Sequence, residues 1–345
     1  MKIALKYIGT LLLLIFFSNC LDKTKKANPE EGNTNGKYQL IESKIDLSNI
    51  KIGYCTPSLN APYYKALLTS VEQTTELYGM SFYSADGQDD IVKQITAVEN
   101  LISIGIDVLL LNPLDPNALI SVTKVAKAAG IPTFILDSAI DPSAEYVTVV
   151  QSNNLKNGEL AGEWLVNKMG TTKMEMALLS GSAGNPVGLT RKQGLLQGIT
   201  ETQLRTLGYV DLEVKTQAYT NWTYDGGLKA MEDILVTHPT INVVITESDV
   251  CVLGAIKAIE QVGKTDDILI VAAADGQKEA IKHIMDSDFY GATAMNSPSL
   301  IGRTAVEFGI QYLNGKRDFS KISYTPELLI TKENAAELYN PNAIF

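Results

Sequence analysis

Asp137 ends a short apolar run, Ile131-Pro-Thr-Phe-Ile-Leu-Asp-Ser138. Its carboxylate can accept two hydroxyl hydrogens, and an acid just past a buried parallel strand stands where open α/β sheets hold their ligands. The plainer role for such a residue is a turn former or helix cap. Similar groups recur after other apolar runs: Tyr63 and Tyr64 after the first strand, Asn112, Gly181 to Gly184 with Ser180, Trp222, Glu247-Ser-Asp249, Asp275, and Asn296. Turn chemistry explains any one of them. It explains the set less well, because strand starts in this chain carry no such enrichment.

These residue types fit a sugar. Carboxylates and amides bind vicinal hydroxyls, a guanidinium fork can bridge two of them, and flat aromatic rings cover the C–H face of the ring. A neutral hydrogen bond is worth about 0.5–1.5 kcal/mol and a charged one about 1.5–3 kcal/mol. Left unpaired in a closed cleft the same groups are costly, which makes such a site selective. A second chemistry for Asp137 and Asp275 is glycoside cleavage by paired carboxylates, although hydroxyl binding explains both acids as well.

The elements that must position these groups alternate. Strands are expected at 50–55, 80–84, 107–112, 131–138 and 146–150, with helices at 62–78, 89–103 and up to 129 between the earlier ones. The alternation then runs again. Strands at 174–179, 212–216, 243–246, 268–273 and 290–295 alternate with helices at 155–169, 187–207, 223–237, 250–262, 277–286 and 300–313. This order predicts an α/β protein built from two doubly wound parallel sheets.

The chain has 345 residues, 45% hydrophobic and 20% charged, with a net charge of −10. No basic patch marks a nucleic-acid partner. The two histidines, His238 and His283, and the three cysteines have no metal-site spacing. No cofactor or metal is expected. Residues 1–20 read as an export signal: Lys2 and Lys6 precede an apolar run from Ile8 to Phe17 that is too short to span a bilayer. Cys20 follows, at a site that resembles a bacterial lipoprotein cleavage site, with Phe17 and Asn19 departing from the usual residues. Residues 21–45 are polar and read as a flexible tether. Cys55 and Cys251 read as separate buried thiols.

Several segments in order resemble the ribose-type family of periplasmic sugar-binding proteins, the receptors of bacterial ABC importers. They include Asn60-Ala-Pro-Tyr-Tyr64, Leu110-Leu-Asn-Pro-Leu-Asp115, the Asp137 run, Ser152-Asn-Asn154 with Gly158 and Gly162, and Arg191-Lys-Gln-Gly194. Thr237-His-Pro239, Ser248-Asp249 with Leu253-Gly254, and Ala274-Asp275-Gly276 continue the series. The resemblance covers about residues 46–332 and implies the type I periplasmic binding protein fold, two lobes joined by a three-crossing hinge near Ser152, Asn296 and Thr325. The lobes would be 46–152 with 297–326, and 153–296 with 327–345.

The resemblance also implies roles. Tyr63 and Tyr64 would sandwich the sugar, with Trp222 facing them. Asp137 would bind two hydroxyls, with Arg191 and Asp275 matching it from the second lobe, Asn112 near the pocket, and Asn296 at a crossover. Ala61, Ser138, Ser248 and Ala274 are smaller than the residues common at their positions. That predicts a roomier or wetter site than a pentose needs. The implied protein is a monomeric, membrane-anchored lipoprotein, periplasmic or on the cell surface, that passes a monosaccharide or similar polyol to a permease. A receptor feeding a sensor kinase or chemoreceptor has the same features. The effector domain of a transcription regulator would instead start with a helix-turn-helix.

Overall fold

The structure is a computed structural model and describes residues 40–345. The export signal with Cys20, and the expected tether as far as residue 39, lie outside the described residues. The tether does not extend to residue 45. Ile41 N–H donates to Tyr78 Oη at 2.9 Å and Lys44 N–H to Asn314 Oδ1 at 2.8 Å. Ile41 also packs on an apolar cluster, so an aliphatic side chain ends the polar stretch early.

The first run comprises β1 (Lys51–Thr56), α1 (Pro62–Leu77), β2 (Ser81–Asp86), α2 (Ile91–Ile104), β3 (Val108–Leu111), α3 (Ile120–Ala128), β4 (Thr133–Leu136) and β5 (Val149–Ser152). The second comprises α4 (Asn154–Met169), β6 (Glu175–Ser180), α5 (Pro186–Leu207), β7 (Glu213–Tyr219), α6 (Tyr224–Thr237), β8 (Val243–Thr246), α7 (Asp249–Gln261), β9 (Leu269–Ala272), α8 (Lys278–Asp286) and β10 (Tyr290–Ala294). Then follow α9 (Pro298–Leu313), β11 (Ile322–Thr325), β12 (Leu329–Thr331) and α10 (Ala335–Leu338).

Two six-stranded sheets result, ordered β11-β5-β4-β3-β1-β2 and β12-β10-β9-β8-β6-β7. All pairs are parallel except β10 with β12. Both faces of the central strands are covered: Leu110 and Phe134 enter one cluster, Leu109, Leu111 and Ile135 the opposite one. That two-sided burial is why these strands read as unbroken apolar runs. The strand order reverses between β1 and β3 and between β6 and β8, so ligand crevices are expected beyond their carboxyl ends.

The chain passes between sheets after β5, after β10 and between β11 and β12. The late β11 and β12 are absent from the sequence expectations, and β7 runs past its expected end. These are edge strands. β7 and β11 are partly exposed along their length and β12 has three residues, so none carries a buried apolar run.

Local devices set the site's scaffold. Asn185 caps α5 by accepting from Val187 N–H and Gly188 N–H, and Pro186 starts the helix. Asn153 caps α4 by accepting from Lys156 N–H. The two helices pack backbone to backbone: a Cβ on Gly158 would lie 2.4 Å from Arg191 O, and one on Gly194 2.1 Å from Leu155 O. Arg191 is thereby held against the start of α4.

Candidate functional site

On the first lobe the site is built at the ends of β3 and β4 and the start of α1. Asp137 does not continue the strand. Its φ is +62°, and Ser138 N–H donates back to Leu136 O at 2.6 Å, closing a three-residue turn. Backbone strain of this kind clusters at functional sites. The turn former and the candidate ligand group are therefore the same residue. Tyr63 Oη donates to Asp137 Oδ1 at 2.8 Å, and Asn112 Nδ2 donates to Asp137 Oδ2 at 3.3 Å. Asn112 Oδ1 is buried and has no partner among the described residues, an unused acceptor beside the acid.

On the second lobe Arg191 is 3% exposed. Its Nη1 lies 2.8 Å from Asp275 Oδ1 and donates to Glu247 O at 2.9 Å, while Nε donates to Asn154 Oδ1 at 2.9 Å. Nη2 has no hydrogen-bond partner among the described residues. Asp275 also accepts from Ser248 Oγ at 2.9 Å and from Asn296 Nδ2 at 3.0 Å.

The two halves meet. Asn296 Oδ1 lies 3.2 Å from Tyr63 Oη, so one hydroxyl stands between an acid of the first lobe and an amide tied to an acid of the second. Burial raises the Asp137 carboxyl above its usual range, against the opposing Tyr63 hydrogen bond and Arg191 charge. Burial works against the Arg191 charge too, but Asp275 and Asp137 together hold its pKa above the usual value. Burial also pushes the Tyr63 phenol well up, reinforced by Asp137, so it remains a donor.

Of the residues singled out from sequence, Tyr63, Asn112, Asp137, Arg191, Ser248, Asp275 and Asn296 form this one network. Tyr64 stands beside it, edge-on to Tyr63 with ring centroids 6.0 Å apart. Ser138 contributes its backbone to the turn. Trp222 packs against Gly181 and Gly188 and takes no part in the hydrogen bonding; a Cβ on Gly181 would meet its Cε2 at 2.0 Å. Cys55 and Cys251 are buried free thiols.

Other residues escaped the sequence reading. Asn154 and the Glu247 carbonyl orient Arg191; both lie in segments conspicuous by sequence, but the signal named no role. Phe345 carried no signal. Lys278 Nζ holds Ala343 O at 2.5 Å on the second lobe, and two residues later the Phe345 ring sits edge-on to Tyr63 at 5.3 Å. Ile344 lies between α1 and α9, beside Ser70 and Ser299. The segment after α10 thus reaches the first lobe, where Phe345 is partly buried against Tyr63 while Ile344 stays 44% exposed, instead of staying with the second as expected for 327–345.

The family model described as periplasmic binding protein domain matches residues 52–317. The ribose import binding protein of Bacillus subtilis (strain 168) is 32% identical, covering 94% of this chain and 97% of its own length. A D-apiose import binding protein of Paraburkholderia graminis is 28% identical, over 83% of this chain and 89% of its own. An ABC transporter solute binding protein from Mycobacterium smegmatis, solved with bound glycerol, superposes with a TM-score of 0.76 at 28% identity. It covers 86% of this chain and 98% of that one.

Proposed function

This chain belongs to the periplasmic binding protein family, and on that premise we propose that it captures a monosaccharide or related polyol between its lobes and delivers it to an ABC importer. It is a sugar-type solute receptor of the importers, not an enzyme, as its relatives are import binding proteins. The observation that carries the proposal is the convergence, through the Tyr63 hydroxyl, of Asp137 and Asn112 from one lobe with Asn296, Asp275, Ser248 and Arg191 from the other. Asn112 Oδ1, unpaired among the described residues, suits a ligand hydroxyl as donor, and Arg191, whose contacts with Asn154, Glu247 and Asp275 use Nε and Nη1, can offer Nη2 to a hydroxyl as acceptor.

The network also supports a mechanism. Each lobe holds half of the polar groups, so a polyol that reaches both binds the closed form better than the open one and shifts the population to it. Hinge closure of this kind is known for periplasmic binding proteins, and the permease then reads the closed shape. Tyr63 and Tyr64 supply aromatic faces on one side and Trp222 on the other.

The small side chains of Ala61, Ser138, Ser248 and Ala274 support a ligand other than ribose. Mass spectrometry of the small molecule that copurifies with the folded protein, followed by calorimetry with a monosaccharide and polyol panel, tests both points. A hexose or cyclitol binding more tightly than ribose is expected. Ribose as the tightest binder would overturn the selectivity, and no binding by any member would overturn the sugar reading.

The receptor is proposed to be anchored by a lipid on Cys20, outside the cytoplasm, with the polar stretch after it as spacer. The apolar run and its terminal cysteine support this. Replacing Cys20 by Ala should move the mature protein from the membrane to the soluble fraction; an unchanged distribution would remove the anchor.

A further inference from the structure

Asp249 lies in the first turn of α7, is fully buried, and makes no ion pair among the described residues. Both carboxylate oxygens are saturated by the protein. Oδ2 accepts Gly276 N–H at 2.7 Å and Gln277 N–H at 2.8 Å. Oδ1 accepts Tyr290 Oη at 2.5 Å and Thr293 Oγ1 at 2.6 Å. No lone pair is left for a ligand, so Asp249 cannot be a contact residue in the way that Asp137 and Asp275 are.

The donors, however, belong to two segments that carry site residues. Gly276 and Gln277 directly follow Asp275, and Gly276 has a φ of +82° that places both amides on the same oxygen. Tyr290 and Thr293 lie on β10, which runs into Asn296. The two segments are also tied to each other, since Asn296 N–H donates to Asp275 O at 2.7 Å. Next to Asp249, Ser248 Oγ bonds the Asp275 carboxylate. One buried carboxylate therefore fixes the end of β9 relative to β10 and to the start of α7. Those are the segments that present Asp275, Asn296 and Ser248 to Arg191.

We infer that Asp249 is a positioning residue for ligand binding: it sets Asp275 and Asn296 in register with Arg191 without touching the ligand. The inference rests on the sugar-receptor reading only for its binding consequence; the positioning itself is testable without a ligand. A carboxylate suits the task because it accepts four hydrogen bonds at once, two on each oxygen. An amide in its place offers one accepting oxygen and turns an N–H₂ toward two of the donors.

The experiment has two arms. In ligand-free protein, hydrogen exchange compares wild type with Asp249→Asn and with the milder Thr293→Val. Exchange at Gly276, Gln277 and Asn296 is expected to rise at least about tenfold in Asp249→Asn, while β6 and β8 stay protected. Uniform acceleration, or none, overturns the inference. In the second arm, calorimetry with D-ribose and with myo-inositol as probes measures Kd in wild type, Asp249→Asn, Asp275→Asn and the double variant. Asp249→Asn is expected to raise Kd about tenfold or more alone and to add little on top of Asp275→Asn, because it acts through that residue. Full additivity overturns the inference. If neither probe binds wild type, the tightest binder of the monosaccharide and polyol panel takes their place; binding by no member of the panel overturns the sugar reading, and the exchange arm still decides the role of Asp249. Should Asp249→Asn fail to fold, Thr293→Val carries both arms with smaller effects in the same direction.

Discussion

Arg191 Nη1 and Asp275 Oδ1 stand 2.8 Å apart, with side-chain exposures of 4% and 10%. The pair is asymmetric. Removing the guanidinium leaves Asp275 and Asp137 as neighbouring buried carboxylates whose charges repel. Removing the Asp275 charge leaves Arg191 with Asn154 and the Glu247 carbonyl. Breaking a buried pair from its costlier side loses about 3–5 kcal/mol. Arg191→Met is therefore expected to lower unfolding free energy by about that much in urea titrations, and Asp275→Asn by clearly less. Equal losses would contradict the asymmetry.

Asp137 carries the opposite balance between fold and binding. Its charge is disfavoured by burial, so Asp137→Asn should leave the melting temperature of the ligand-free protein unchanged or higher. A charged hydrogen bond contributes about 1.5–3 kcal/mol, so affinity for the copurifying ligand should fall about tenfold to a hundredfold. Calorimetry beside thermal melts checks both. Unchanged affinity would take Asp137 out of the site.

Much of this was legible in the sequence, for a physical reason. Strands buried on both faces, such as Leu109 to Leu111 or Val243 to Ile245, leave continuous apolar runs, and polar residues that interrupt them at one end mark the crevice. The edge strands leave no such trace: β11 is largely exposed, which imposes little on side-chain type, and β12, though mostly buried, is only three residues long. Within the site, Asp137 and Asp275 stood out by position. The roles of Asn154 and Asp249 did not: at the start of a helix each looks from sequence like any helix cap, although Asn154 accepts from the Arg191 guanidinium and Asp249 from backbone and hydroxyl donors. Phe345 was invisible: its partner Tyr63 is remote in sequence, and one aromatic in a polar segment has no period to betray it.

Glu307 on α9 gives a pH signature away from the site. Burial lifts its pKa from 4.5 to about 7. A raised folded-state pKa means the stabilising contribution is fully present below the unfolded value, near 4.5, and is lost as pH rises through about 7. Above that the folded state carries a carboxylate that it disfavours. Glu307→Gln should therefore melt higher than wild type at about pH 8, with the gap closing as the pH falls toward 4.5. Calorimetric melts across that window check it, and a pH-independent gap would contradict the assignment.

Trp222 can be tested through the glycine beneath it. Its ring lies where a Gly181 side chain would be, with Cε2 only 2.0 Å from the position of an added Cβ. Gly181→Ala must push the indole off this seat, whereas the β6 core beneath, from Met176 to Leu179, is untouched. The chain has two tryptophans, Trp164 and Trp222, and Trp164 packs on Gly291 in the second lobe. In a Trp164→Phe background the emission belongs to Trp222 alone. If Trp222 covers one face of a sugar, the copurifying ligand should change its emission in that background. Gly181→Ala should then red-shift the ligand-free spectrum, weaken binding and abolish the ligand response, with only a small drop in melting temperature. No ligand response in the Trp164→Phe background, alongside unchanged affinity in Gly181→Ala, would place Trp222 outside the site and leave Tyr63 and Tyr64 as its aromatic faces.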